Sequence, residues 1–418
     1  MRDGMRRKGL IATAALLSGV LTLSACSGGG DDEPSGDQGG GSEQSEADRA
    51  AEDADTSTAV ISITPENAAD GVGINDDVRV TVEDGTLDEV VMTAAEGAEV
   101  AGTISGDGTS WAPDAQLDRG TRYELAVRAS DGEGRAAHES RSFTTVSPDS
   151  SFTGYFTPED GETVGVGMPV SLNFDKPIED RAAIEAAVEI NSSSGQEIVG
   201  HWFSDTRLDF RPEDYWQANT EVDVSLNFDG LDAGGGIVGW QNRSFDFTVG
   251  RSQISTVDAE SHQMEVVRDG ETLRTIPISA GSAENPTYNG IMVISEKLKE
   301  TRMNGATVGF TDDDGEGEYD IPDVPHAMRL STSGTFIHGN YWAADSVFGG
   351  SNTSHGCVGL ADVQGADDPE QDGAWFFDQS LRGDIVTVIN SPDREIQPDN
   401  GLNGWNMSWA DWQAGSAL

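Results

Sequence analysis

Two short segments carry side chains able to act on a carbonyl group: Phe336-Ile337-His338-Gly339, and Thr353-Ser354-His355-Gly356-Cys357-Val358-Gly359-Leu360. A thiol attacks carbon as its thiolate, so Cys357 needs an imidazole to take its proton and a third group to fix the imidazole tautomer. His338 ends a strand-like run over 334–338 and precedes Cys357 by 19 residues, a spacing that a hairpin-like return can close. His355, two residues from Cys357, shares its side if the segment is extended. Gly356 lets the backbone approach a substrate, so that N–H groups around Cys357 can face an oxyanion. Taken alone, a His-Gly-Cys triplet also fits a buried Cys packed beside a structural His.

The elements that must position these residues read as β-structure. Residues 264–267 and 273–278 flank Asp269-Gly270, a pair that tolerates positive φ and signals a hairpin. A further strand is expected over 384–389. Between the site and that strand, Asp367 and Asp368 precede Pro369 and lead into Ala374-Trp375-Phe376-Phe377 and Leu381, the pattern of one amphipathic helix ending near Gly383. From residue 391 the tail carries Trp405, Trp409 and Trp412, whose spacing suits a docking face.

Upstream, residues 59–249 repeat themselves. Thr64-Pro65-Glu66 recurs as Thr157-Pro158-Glu159, Pro113 as Pro212, and Arg141-Ser142-Phe143 as Arg243-Ser244-Phe245, with offsets of 93, 99 and 102 residues. Units of that length suit small β-sandwiches, and segments 78–82, 123–127 and 222–226 alternate apolar and polar at period two. Neither repeat carries a cluster with chemistry, so their expected role is spacing and orientation.

The N-terminus predicts export. Arg2, Arg6, Arg7 and Lys8 precede an apolar stretch over 10–23, short for a bilayer span and suited to a signal-peptide core. Leu23-Ser24-Ala25-Cys26 resembles the bacterial lipobox, which implies cleavage before Cys26 and lipid on that residue, an anchor to the outer face of the cell membrane. A Gly-, Ser- and acid-rich run to about residue 58 reads as a tether. Of the two cysteines, the first is thus consumed and Cys357 is left as a free thiol. A formal net charge of −49 repels polyanions and argues against nucleic acid as a partner.

Ser/Thr-His-Gly-Cys with an upstream His-Gly in a Gly- and Ser-rich β context resembles the catalytic signature of the L,D-transpeptidases, the YkuD-type domain. The resemblance runs through Leu381-Arg382-Gly383-Asp384-Ile385-Val386 and Asn289-Gly290-Ile291, covering most of 252–390. Paired sandwiches before it and a Trp-rich tail after it are similar to the actinobacterial lipoprotein branch. The implied architecture is mainly β: signal peptide 1–25, tether 26–58, Ig-like domains 59–148 and 149–250, catalytic domain 251–390 with a short helix, and a C-terminal extension 391–418 docking on the catalytic domain.

The resemblance implies Cys357 as nucleophile, His338 as proton donor and acceptor, and the Gly339 carbonyl as partner of that His. It implies that His355 and Gly356 shape the oxyanion site, and that Ser333, Gly334, Gly339, Ser354 and Tyr319 contact substrate, Tyr319 from a lid over 311–330. The implied reaction is attack on the third residue of a peptidoglycan tetrapeptide stem, release of D-Ala, and aminolysis of the thioester by a neighbouring stem to give a 3→3 cross-link. Carbapenems are the implied inhibitors, and no cofactor is implied. Two departures stand out: Gly359 where the family usually has Asn, and Gly339 where it has Ser. Gly359 sustains an alternative, a catalytically impaired wall-binding scaffold of the same fold. A zinc site at His338, His355 and Cys357 lacks a fourth ligand, since His138, His201, His262 and His326 show no companion spacing.

Overall fold

A computed structural model describes residues 56–75 and 77–418. The expected signal peptide, Cys26 and nearly all of the tether lie outside the described residues. The molecule is mainly β.

Two sandwiches precede the site. In the first, a four-stranded sheet containing Val60–Thr64 and Arg79–Glu83 faces a five-stranded sheet containing Arg122–Asp131 and Ala136–Thr145. Val80, Val82, Tyr123, Leu125 and Val127 point into one core, as the period-two alternation predicts. In the second, two four-stranded sheets enclose a core that includes Val222, Val224, Leu226, Trp216 and Phe247.

The remainder builds one nine-stranded sheet. In chain order its strands are β1 (Gln253–Asp258), β2 (Gln263–Arg268), β3 (Glu271–Ser279), β4 (Gly290–Val293), β5 (Glu296–Asn304), β6 (Asp320–Arg329), β7 (Phe336–Asn340), β8 (Val358–Ala361) and β9 (Ile385–Ile389). Across the sheet they run β4-β9-β1-β2-β3-β8-β7-β6-β5. Asp269 and Gly270 turn the β2–β3 hairpin at φ 49° and 86°, which is the chemistry that pair was expected to supply. Met264, Val266, Ile276, Ile278, Ile337, Val358, Leu360 and Phe376 are shielded from water in a shared core.

Three expectations are corrected. His338 and the segment after Cys357 do not form a hairpin: β7 and β8 are parallel, Ile337 opposite Val358 and His338 opposite Gly359. Parallel neighbours need a crossover, and residues 341–357 provide it. The helix is shorter than expected, Asp372–Gln379, with Gln371 at its N-cap; Asp368 instead closes a turn, accepting from Glu370 N at 3.1 Å, and Pro369 lies outside the helix. The lid is shorter too, because its second half, Asp320–Arg329, is a sheet strand paired with β5, leaving 311–319 of the expected lid at the hairpin tip.

The tail docks on two partners rather than on the catalytic domain alone. Its first part lies on the nine-stranded sheet, where Asn403 Oδ1 accepts from Val293 N (2.9 Å) and Asn406 Oδ1 from Ile291 N (2.8 Å). Its tryptophans lie on the second sandwich, not on the catalytic domain. Trp405 Nε1 donates to Gly167 O (2.7 Å), Trp412 Nε1 donates to Val199 O (2.9 Å), and the Arg211 guanidinium sits over the rings of Trp405, Trp409 and Trp412 at 4.4–5.4 Å. A buried cation surrounded by three indoles forms a cation–π cluster that neither partner could form alone. The apolar stripe therefore docks, as its spacing predicts, on the sandwich that offers an arginine.

Candidate active site

β7 carries His338 at its centre, buried, and the turn before β8 carries Cys357. The two line one cavity of about 290 Å³ together with Tyr319, Asn340, Trp342 and Gly359. His338 Nδ1 faces the Gly339 carbonyl at 2.7 Å. A carbonyl only accepts, so Nδ1 carries the proton and Nε2 is left as an acceptor. Burial pushes the imidazole below its usual range, opposed by the Gly339 carbonyl and the charge of Asp362, and the ring is neutral at physiological pH. Burial also pushes the Cys357 thiol up to about 11, opposed by the backbone of Phe336, and its sulfur leans on the Gly334 carbonyl at 3.7 Å. The resting pair is a neutral thiol beside a neutral base.

Ser354 shapes the turn that presents the thiol. Its Oγ donates to the Cys357 carbonyl (2.5 Å) and accepts from Gly356 N (3.2 Å), with Gly356 at φ 110°. The segment is turned, not extended as the spacing suggested, yet His355 and Cys357 line the same cavity. Only glycine takes that φ without strain. Since Gly356 N–H is occupied by Ser354, what Gly356 contributes is the bend.

His355 also reaches to the lid. Its Nε2 lies 3.0 Å from Glu318 Oε2, and its ring packs on Tyr319 and Phe310 with centroids 5.0 and 5.3 Å away. It lines the first cavity and also a second, of about 300 Å³, that holds Ser333, Gly334, Gly356, Glu284 and Asp393. The first cavity holds Tyr319 and Ser354. Burial, with the nearby Cys357 and Glu318 charges, pushes the Tyr319 hydroxyl up to about 12.

Of the residues expected to contact substrate, Gly339 is the exception. It is buried, lines neither cavity, and turns its Cα toward Asp362: a Cβ at this position would lie 2.1 Å from Asp362 Oδ2. Gly373 on the helix meets the same carboxylate in the same way, at 2.2 Å. Asp362 in turn pairs with His326 Nδ1 at 2.7 Å, both nearly inaccessible. The buried Asp362 carboxylate thus fills the space under β7 that a side chain at 339 would need. Nothing in the spacing of His326 and Asp362 announced that pair; Asn340 and Trp342 follow His338 directly and needed only a longer reading of the same motif. Trp342 stacks on His338 at 5.7 Å and 21°.

Residues 252–388 match the model of the L,D-transpeptidase catalytic domain, and residues 69–232, spanning parts of both sandwiches, match that of a bacterial Ig domain. The chain is 35% identical to L,D-transpeptidase 2 of Mycobacterium tuberculosis over 371 residues, 89% of this chain and 88% of that protein. It is 33% identical to L,D-transpeptidase 5 of the same species over 360 residues, 84% and 76% of the respective lengths. A solved structure of LD transpeptidase LdtMt1 in complex with imipenem shares 29% identity at a TM-score of 0.47, covering 58% of this chain and 100% of that one.

Proposed function

Because the chain belongs to the L,D-transpeptidase family, acyltransferases that cross-link peptidoglycan, we propose that it forms 3→3 cross-links through a thioester on Cys357. The observation that carries this reading is the neutral His338, its Nδ1 proton committed to Gly339, in one cavity with the only cysteine among the described residues. In the first half-reaction Cys357 Sγ bonds to the carbonyl carbon of the stem's third residue while its proton passes to His338 Nε2. The C–N bond to the terminal D-Ala then breaks, and the imidazolium returns that proton to the departing amine. In the second, a side-chain amine of a neighbouring stem attacks the thioester, gives its proton to His338, and leaves a new amide and a free thiol.

Ser354 and Gly356 hold the shape of the thiol turn in this reading, and His355 ties that turn to the lid. Tyr319, Ser333 and Gly334 face the stems across the two cavities. A carbapenem, whose strained C–N bond opens on thiol attack, acylates the same sulfur. Incubation of the protein with a tetrapeptide-stem disaccharide should release D-Ala and yield a dimer, and Cys357→Ser should yield neither; an unmodified substrate with the folded parent protein rejects the activity.

Anchoring is part of the same proposal and rests on the first 26 residues of the sequence alone: lipid on Cys26 holds the protein at the outer membrane face, toward the wall. Cys26→Ala should move it from the membrane to the soluble fraction.

A further inference from the structure

We infer that Asn340 is a substrate-binding residue of this site, its side-chain amide donating to an oxygen of the donor stem peptide. The inference rests on the function proposed above and adds a residue to it.

The orientation of the amide is decided by its neighbours. Asn340 Oδ1 accepts from Trp342 N at 3.2 Å and from Ala343 N at 3.0 Å. Two N–H donors require the oxygen at that end, so the NH₂ group points the other way. Among the described residues that NH₂ group donates to no partner. It lies in the wall of the cavity that holds His338 and Cys357. A fixed donor left without an acceptor beside a reactive thiol is arranged to meet an acceptor that arrives with the substrate.

Gly359 is what keeps the donor uncovered. The residue sits opposite His338 in the β7–β8 ladder, and a Cβ there would lie 3.4 Å from Asn340 Nδ2 and 3.6 Å from Asn340 Cβ. Anything beyond Cβ would compete for the space in front of the amide. The absence of a side chain at 359 and the presence of an amide at 340 are thus two halves of one arrangement. The acceptors that a stem peptide offers are carbonyl and carboxylate oxygens, and an N–H donor takes either.

The test is Asn340→Asp, which keeps an oxygen for Trp342 and Ala343 N–H while exchanging the donor for a second acceptor. We expect an unchanged melting temperature, an unchanged rate of Cys357 alkylation by iodoacetamide, and a fall of about 10- to 100-fold in kcat/KM for D-Ala release. Asn340→Ala should show the same fall. Should either variant melt early, Asn340→Ser, whose hydroxyl can still accept from the turn N–H groups but carries no amide donor, must reproduce the fall. If the substituted proteins that fold release D-Ala at the parent rate, the inference is wrong. If the parent itself releases none, it is the proposed function that fails.

Discussion

Enclosure acts on His338 and Cys357 in opposite senses, removing the proton from one and holding it on the other. Proton transfer must then accompany bond formation, so the base matters more than it would beside a ready-made thiolate. His338→Ala should lower the rate of carbapenem acylation by roughly 10²- to 10⁴-fold at neutral pH. His262→Ala, whose ring Nδ1 faces Asn352 Oδ1 at 3.0 Å outside the cavity, should react like the parent. The pH profile separates the two routes to thiolate. The parent should keep its rate below pH 6.5, the ordinary imidazole value, until the lowered pKa of His338 is reached. The His338→Ala variant should instead gain rate with every step in alkalinity up to about pH 11, where the thiol ionises unaided. Stability carries the same sign: the unfolded imidazole takes a proton first, so stability falls as pH drops from 6.5 toward the folded value and is indifferent to His338 above pH 6.5. Chemical denaturation of parent and His338→Gln across that window measures the difference.

At the scale of elements, what could be read in advance followed from period and local chemistry. Asp269-Gly270, the alternation at 222–226 and the His-Gly-Cys triplet need no partner far away to declare themselves. What escaped depends on contacts distant in the chain: the parallel pairing of β7 with β8, the Asp362–His326 pair beneath them, and the choice of the sandwich as the dock for the tryptophans. The entry to β9 shows the energetic side of such contacts. Asp384 is 1% exposed and paired with Arg251 at 2.5 Å, while burial still holds its carboxyl above the usual range. Arg251 also donates to the Gln379 carbonyl, tying β1 to the end of the helix. Arg251→Met should leave a buried carboxylate without its main partner and cost about 3–5 kcal/mol, read as a fall in melting temperature. Adding Asp384→Asn should restore part of that loss, because the stranded charge is then gone.

Residues 57–418 form one unit, and the second sandwich is joined to the nine-stranded sheet by more than chain connectivity. Gly165 N donates to Arg382 O (2.7 Å), Gly167 N donates to Gly383 O (2.9 Å), and Arg382 pairs with Glu162 at 3.1 Å. A Cβ on Gly165 would lie 2.3 Å from Asp384 N, so the two backbones are as close as glycine permits. A fragment of residues 252–418 should therefore melt well below one of residues 149–418, with its tryptophans exposed, while each still forms a carbapenem adduct when folded. Trp412→Ala in the full chain should cost about 3–5 kcal/mol, since that ring is fully buried between His201, Phe203 and Arg211. The tail has a further consequence, one of timing. Synthesis runs from the N-terminus, and sandwiches that close on themselves can fold as soon as they emerge. The clasp of Arg211 by three indoles, and the grip of Glu185 on Ala417 N, exist only once residues 405–417 are made. Synthesis of residues 405–417 is thus the fastening step: a chain stopped before Trp405 keeps Cys357 and His338 yet leaves the sandwich and the catalytic sheet without this clasp, and such a chain should be cut faster by added protease than the parent.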